Sequence, residues 1–261
     1  ISMNRCSYDL AVIGGGAMGG ALVRTFAASG FDMARVTVSN PHTDRLDPLA
    51  ELGAKVTTDN VAAARAADLV VVAVKPWILP SVAEQLRQVL ADGRREVCAI
   101  VAGVSAADLR AMFPGAASLS IAMPNTAMAL GESMTFLVSA QGDHIYAADA
   151  FARVGHSLDI EERLLPAAMA LASCGIAYAL RYVRAAVEGG VQLGFRAAEA
   201  QAIVAETLRG AAALLDQPGA HAEAEIDKVT TPGGITIRGL NAMERAGFTN
   251  AVIAGLIESA K

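Results

Sequence analysis

Six residues near the start of the chain, Gly14-Gly15-Gly16-Ala17-Met18-Gly19, leave it few folds to choose from. They follow an apolar, β-rich run over residues 8–13 and precede an apolar-periodic stretch over 17–29, so they join an expected strand to an expected helix. The spacing G-x-G-x-x-G gives each glycine a mechanical task in that setting. The first permits the tight turn, the second lets a pyrophosphate approach bare backbone, and the third lets the helix lie close to the strand. A glycine-rich turn that binds nothing is the plain alternative, and the strand–turn–helix context weighs against it. Gly14, Gly16, Ala17, Met18 and Gly19 are therefore expected to bind a dinucleotide.

Short β-rich runs go on alternating with helical patterns, which predicts a parallel sheet whose central strands are covered on both faces. Strands are expected at 36–39, 55–57, 69–74, 97–102, 118–122 and 134–139, with helices over 46–52 and from residue 61. Beyond about residue 162 the strand signals vanish. Alanine-rich helical periodicity then runs to Lys261, broken around Gly194, at Gln217-Pro218-Gly219 and at Gly247. The expected fold class is α/β: a Rossmann-type dinucleotide-binding domain over 1–162, followed by an all-helical dimerisation and substrate domain over 163–261.

With 261 residues, 54% of them hydrophobic, the chain can bury a substantial core in one or two domains. A net charge of -5 and the lack of a basic cluster argue against nucleic acid as a partner. Apolar runs such as 69–74 are shorter than the roughly 20 residues that cross a bilayer, so no membrane partner is expected. No charged-apolar-small leader stands at the start, and Ile1-Ser2 reads as an addition ahead of a native Met3. Cys6, Cys98 and Cys174 are odd in number and widely spaced, which is no disulfide framework and suits a cytoplasmic location. His42, His144, His156 and His221 form no short-spaced ligand pair with one another or with cysteine, so no metal is expected.

The end of the second expected strand selects the cofactor. A carboxylate there would grip ribose hydroxyls and repel an added 2′-phosphate. The chain offers Ser39-Asn40-Pro41-His42-Thr43 instead, with hydroxyl and amide donors and no acid at the tip. NADP(H) is the preferred cofactor on this reading. NAD(H) stays a second option, since Asp44 is close and only His42 and Arg45 supply positive charge. Ala73-Val74-Lys75-Pro76 closes the central strand at its carboxyl end, where open α/β sheets place ligands. Lys75 is open to three readings: a catalytic acid, a phosphate partner or a solvated loop residue.

A second motif lies towards the other end. Thr231-Pro232-Gly233-Gly234-Ile235-Thr236 joins a capping threonine to a proline suited to the first helical position and two glycines, which predicts a helix start with free amides facing an anion. A capped helix end that meets only water is the alternative. Extended to Val229 and Thr230 on one side, and to Gly239-Leu240, Met243-Glu244 and Gly247-Phe248 on the other, the string resembles the signature of pyrroline-5-carboxylate reductases. The resemblance runs over nearly the whole chain. It implies hydride transfer from NAD(P)H to 1-pyrroline-5-carboxylate, giving L-proline in the last step of proline biosynthesis. It also implies that Thr231 and the amides of Gly234 and Ile235 hold the substrate carboxylate, with Thr236 as the catalytic contact to the ring nitrogen or carboxylate. For the cofactor it implies Asn60, Ala73, Val74, Lys75, Pro76, Ala102 and Gly103, with Met123-Pro124-Asn125-Thr126 as the floor of the nicotinamide pocket.

The chain departs from that family's pattern in places. Pro41 stands where an arginine often follows the asparagine, which weakens the case for strict NADP specificity. Ala172-Ser173-Cys174-Gly175-Ile176-Ala177-Tyr178 replaces Ser-Gly-Ser-Gly-Pro-Ala-Tyr, and loss of the proline predicts a smoother helix. Arg184, Ala222 and Glu225 stand where glutamate, proline and leucine are usual. The alternatives are a related NAD(P)H-dependent cyclic-imine or 2-hydroxyacid reductase, and a non-catalytic NADP(H)-binding regulatory protein. The absence of lysine between Leu164 and Gly194 lowers the hydroxyacid reading. The helical stretches 168–191 and 197–215 are apolar around more than one face, which suits either a helix fully buried within one chain or one packed against a second subunit; the resemblance implies the latter, a homodimer or higher homo-oligomer.

Overall fold

The computed structural model describes residues 7–261, so the expectations for Ile1-Ser2, Met3 and Cys6 lie outside the described residues. The strands are β1 Leu10–Ile13, β2 Val36–Ser39, β3 Lys55–Thr57, β4 Leu69–Val72, β5 Glu96–Ala99, β6 Ser118–Met123, β7 Ser133–Gln141 and β8 Gly155–Asp159. They form one sheet in the order β3-β2-β1-β4-β5-β6-β7-β8. The first six strands are parallel, β7 runs antiparallel to β6, and β8 pairs parallel to β7. The chain thus starts in the middle of the sheet and winds outward in both directions, the Rossmann-type arrangement. The runs expected at 69–74 and 97–102 leave the sheet early, at Val72 and Ala99, which frees the residues after them as loops.

Alternate residues of each strand face opposite sides. Leu10, Val12, Val36, Val38, Leu69 and Val71 join one apolar core, while Ala11, Ile13, Val70, Val72, Val97 and Ala99 join the other. Helix α1 (Ala17–Ala28) covers the first face with Leu22, Val23 and Phe26. After the short α2 (Asp47–Ala50), helices α3 (Asn60–Arg65), α4 (Leu79–Leu90) and α5 (Ala106–Met112) cover the second. Helix α6 (Ile145–Ala152) returns to the first face through Ala147, Ala150 and Phe151.

The described residues divide into two compact units, one ending at Ala168 and one running from Met169 to Lys261. After α7 (Leu165–Met169), residues Ala170–Cys174 make one π-helical turn and lead into α8 (Gly175–Gln192). The helix is therefore not smoother for losing its proline. A wider turn absorbs an extra residue there while the backbone stays hydrogen-bonded. Then come α9 (Ala197–Leu215), α10 (Ala222–Lys228), α11 (Ile235–Arg245) and α12 (Phe248–Ser259). The breaks fall where glycine was expected to make them, with Gly194, Gly219 and Gly247 at φ 105, 78 and 84°. Residues 162–192 form one helical run long and apolar enough, by length and composition alone, to cross a membrane, a stretch that the short apolar runs of the sequence do not pick out. Its hydropathy is spread over many alanines rather than gathered in unbroken leucine and valine blocks.

Candidate functional site

Parallel strands in matching register end together. Ile13 pairs with Ser39 on one side and Val72 on the other, and Val72 pairs with Ala99. The loops that follow, Gly14 onward, Asn40 onward, Ala73 onward and Ile100 onward, therefore leave the same sheet edge as neighbours. Gly14 N–H donates to Ser39 O at 2.8 Å and Ala73 N–H donates to Ile13 O at 2.8 Å, which holds the starts of two of these loops against the neighbouring strand ends. The strand order reverses at β1 and β4, and open α/β sheets form their ligand crevice at such a point.

The glycine turn separates its tasks by distance. A Cβ on Gly14 would stand 2.4 Å from the carbonyl oxygen of Ala73, and one on Gly19 would stand 2.0 Å from that of Gly14. Gly14 also holds a φ of 108°, which side chains rarely adopt. At Gly16 the nearest atom to a Cβ is Arg45 Nη1, 3.6 Å away, so this position faces open space. Gly16 is the N-cap of α1 and brings no capping side chain, and the first turn carries no acid. The amides of Ala17 and Met18 are among the donors that any helix start leaves unpaired. With the helix dipole behind them they fit a pyrophosphate.

The tip of β2 is more committed than its composition suggests. Ser39 and Asn40 are buried. The Ser39 hydroxyl donates to Asn60 Oδ1 at 2.5 Å, Asn60 Nδ2 donates to Gln85 Oε1 at 2.7 Å, and Asn40 Nδ2 donates to His42 O at 2.9 Å. Gln85, on α4, was missed by sequence reasoning, and nothing in its neighbourhood along the chain signals the contact. Beyond β4, Ala73 and Val74 are half-buried while Lys75 and Pro76 are exposed, Lys75 preceding a single turn at Pro76–Ile78. Ala102 and Gly103 form an exposed turn, with Gly103 at φ 75°. At the end of β6, Asn125 is buried and its Oδ1 accepts the Ala127 N–H at 3.0 Å.

The segment from Thr231 to Thr236, in the second unit, differs from expectation. Gly234 N–H donates to Thr231 O at 2.9 Å and Gly233 has φ 68°, so Thr231-Pro232-Gly233-Gly234 is a turn with glycine at its left-handed corner. Helix α11 begins at Ile235, with Gly234 rather than Thr231 at its N-cap. A left-handed residue cannot continue a helix, which is why Pro232 does not occupy the first helical position. The Gly234 amide, expected in the carboxylate cradle, is thus engaged inside the turn. A Cβ on Gly234 would stand 2.4 Å from Thr231 Oγ1, so only glycine lets that hydroxyl fold against the helix start. Ile235 is exposed, Thr236 is half-buried in the first turn, and no acid competes there. The amides that α11 offers are those of its own first turn. Among the described residues no group of three or more His, Cys, Asp or Glu is placed to hold a metal ion.

Two family models match the chain. One, for pyrroline-5-carboxylate reductase dimerisation, covers residues 162–261, and the other, for NADP oxidoreductases, coenzyme F420-dependent, covers 9–96. Pyrroline-5-carboxylate reductase 1 of Dictyostelium discoideum is 36% identical over 97% of this chain, which spans about half (49%) of that protein's length. The Synechocystis sp. pyrroline-5-carboxylate reductase is 34% identical, with 95% of this chain and 94% of that protein aligned. The solved structure of a pyrroline-5-carboxylate reductase from Coxiella burnetii superposes with a TM-score of 0.92 at 28% identity, covering 98% of this chain and 97% of its own. Likeness of that extent, in sequence and in both compact units, means that the chain belongs to the pyrroline-5-carboxylate reductase family.

Proposed function

We propose that this chain reduces 1-pyrroline-5-carboxylate to L-proline with NADPH, and that a homodimer is its smallest working assembly. The observation that carries the reading is the open backbone cradle at Gly16 in a family member that also keeps the segment from Thr231 to Thr236. NADPH, when bound, supplies the hydride. The chain's own residues hold and orient. The amides of Ala17 and Met18 balance the pyrophosphate charge, while Asn60, Ala73, Val74, Lys75, Pro76, Ala102 and Gly103 shape the rest of the cofactor crevice. Thr231 Oγ1 and the first-turn amides of α11 receive the substrate carboxylate at the positive end of the helix dipole. The Thr236 hydroxyl meets the ring nitrogen or carboxylate. A protonated imine accepts hydride readily, so this site needs no strong base. Orientation alone can lower such a barrier by about 7–11 kcal/mol. Cys98 and Cys174 are free thiols, which supports the cytoplasm as the place of action.

The test follows NADPH oxidation by absorbance with and without pyrroline-5-carboxylate, repeated with NADH, with proline identified as product. Thr236→Ala is expected to lower kcat/KM by about 10- to 100-fold, the worth of a hydrogen bond to a charged group. Thr236→Ser should restore most of it. Unchanged turnover and affinity in the alanine variant would remove Thr236 from the mechanism.

A further inference from the structure

We propose that Arg45 reads the 2′-phosphate of NADP(H) in this chain and so sets its preference over NAD(H). The inference rests on the cofactor assignment above and concerns one residue of that crevice. Its first support is position. Arg45 closes a single turn, Thr43–Arg45, just after β2, and its Nη1 lies 3.6 Å from where a Cβ on Gly16 would stand. The guanidinium therefore hangs over the open glycine of the cradle. Its second support is anchoring. The next residue, Leu46, is buried and packs with Leu49 and Asn40 against Gly15, their nearest atoms 3.6, 3.6 and 3.4 Å from a Cβ position there. The turn that carries Arg45 is thus pinned to the glycine turn by apolar contact, while Arg45 itself stays exposed.

Its third support is the state of the other donors. The Ser39 hydroxyl and one N–H of the Asn40 side-chain amide, which the composition offers to a phosphate, already donate to Asn60 Oδ1 and His42 O. Pro41 carries no donor at all. Arg45 is not engaged in this way: among the described residues no ion pair involves it, although Asp44 and Asp47 stand on either side in sequence. An unpaired guanidinium beside the ribose end of a dinucleotide crevice is matched to a phosphate in charge and in fork geometry. Arg24, likewise in no ion pair among the described residues, is another nearby cation, its Nη1 3.2 Å from a Cβ position on Gly20, one turn further along α1, and His42 precedes Arg45 by three positions.

Calorimetric titration with NADP⁺, NAD⁺, adenosine 2′,5′-bisphosphate and 5′-AMP tests this without turnover. Arg45→Ala is expected to weaken NADP⁺ and the bisphosphate about tenfold or more, and to leave NAD⁺ and AMP within about twofold. Arg45→Lys should recover part of the loss, and Arg24→Ala should leave the discrimination as it was. Equal weakening of all four ligands would place Arg45 on the shared 5′-phosphate side and overturn the inference. So would an Arg45→Ala variant that binds as the parent does, or an Arg24→Ala variant that loses the discrimination. A parent protein that binds neither dinucleotide would take down the cofactor assignment itself, and this inference with it.

Discussion

Replacing one hydrogen on Gly19 by a methyl group would set a carbon 2.0 Å from the carbonyl oxygen of Gly14, while the same change on Gly16 meets nothing closer than the exposed Arg45 guanidinium at 3.6 Å. The two glycines of one motif should therefore fail in different ways. Gly19→Ala must push α1 away from β1, and overpacking of that kind costs about 1–3 kcal/mol or more. The expected result is a melting temperature lower by several degrees, with or without NADP⁺. Gly16→Ala should melt like the parent when ligand-free, yet lose most of the stabilisation that NADP⁺ adds, because its methyl group stands between pyrophosphate and amides. Thermal melts of both variants at a series of NADP⁺ concentrations check this. If Gly16→Ala melts as low as Gly19→Ala without ligand, its role is structural and the cradle argument fails.

Elements are joined in the first unit by a buried acid. Glu96 opens β5, is 4% exposed, and accepts the Ala147 N–H at 2.7 Å and the Tyr146 N–H at 3.1 Å from the first turn of α6. Burial raises its pKa above the usual glutamate value, against the opposing pull of those two amides and of His144. A folded pKa above the unfolded one means that the native state holds the proton more tightly. The stability this contributes is complete below the unfolded value of 4.5 and is lost as pH rises through the raised folded value. Glu96→Gln should flatten that fall, and Glu96→Ala should cost about 1–3 kcal/mol by leaving buried amides unpaired; urea melts between pH 4 and 8, taken in steps of about one unit, read both. Elements of this unit were legible in the sequence where one pattern dominates. The uniformly apolar β4 and the glycine turn between strand and helix are such places, and in the second unit the helices show as alanine-rich periodicity. β8 was not legible, because Gly155-His156-Ser157-Leu158-Asp159 is a polar strand beside β7 that carries no apolar run. Nor was the start of α11, since a threonine cap and a proline-glycine turn are spelled with the same letters and only the φ of Gly233 separates them. Arg45 could be seen as a nearby charge, but its approach to Gly16 depends on Leu46 folding under Gly15, and Gln85 meets Asn60 across 25 positions of chain.

The second unit poses the question of what keeps a whole molecule folded. Across residues 169–261 only Ala170 and Ala200 are buried in the single chain. Large apolar side chains lie open instead, among them Leu180 at 62%, Leu193 at 83% and Ile257 at 59% exposure. Tyr178 ties α8 to α12 through its hydroxyl, which donates to Gly255 O at 3.2 Å, so helices within the unit do touch. Two buried alanines are still far too little core for a helical unit of this size, because each ordered residue costs about 1–2 kcal/mol of backbone entropy. Large apolar side chains exposed in this number mark an interface, and the dimerisation family that matches residues 162–261 supports a homo-oligomeric one. The helical run 162–192, which has the composition of a membrane span, lies mostly exposed in the single chain, and a homo-oligomer is the covering that the family model supports. Leu180→Glu and Ile257→Glu each place a charge where burial of an aliphatic side chain is worth about 1.5–3 kcal/mol. Light scattering should find the parent at twice the chain mass or more, and both variants shifted towards single chains. Because assembly and folding are then one equilibrium, the parent's melting temperature should also rise with protein concentration. A parent that is monomeric at micromolar concentration, with a concentration-independent melt, would leave this surface unexplained and would sink the oligomer as the source of stability.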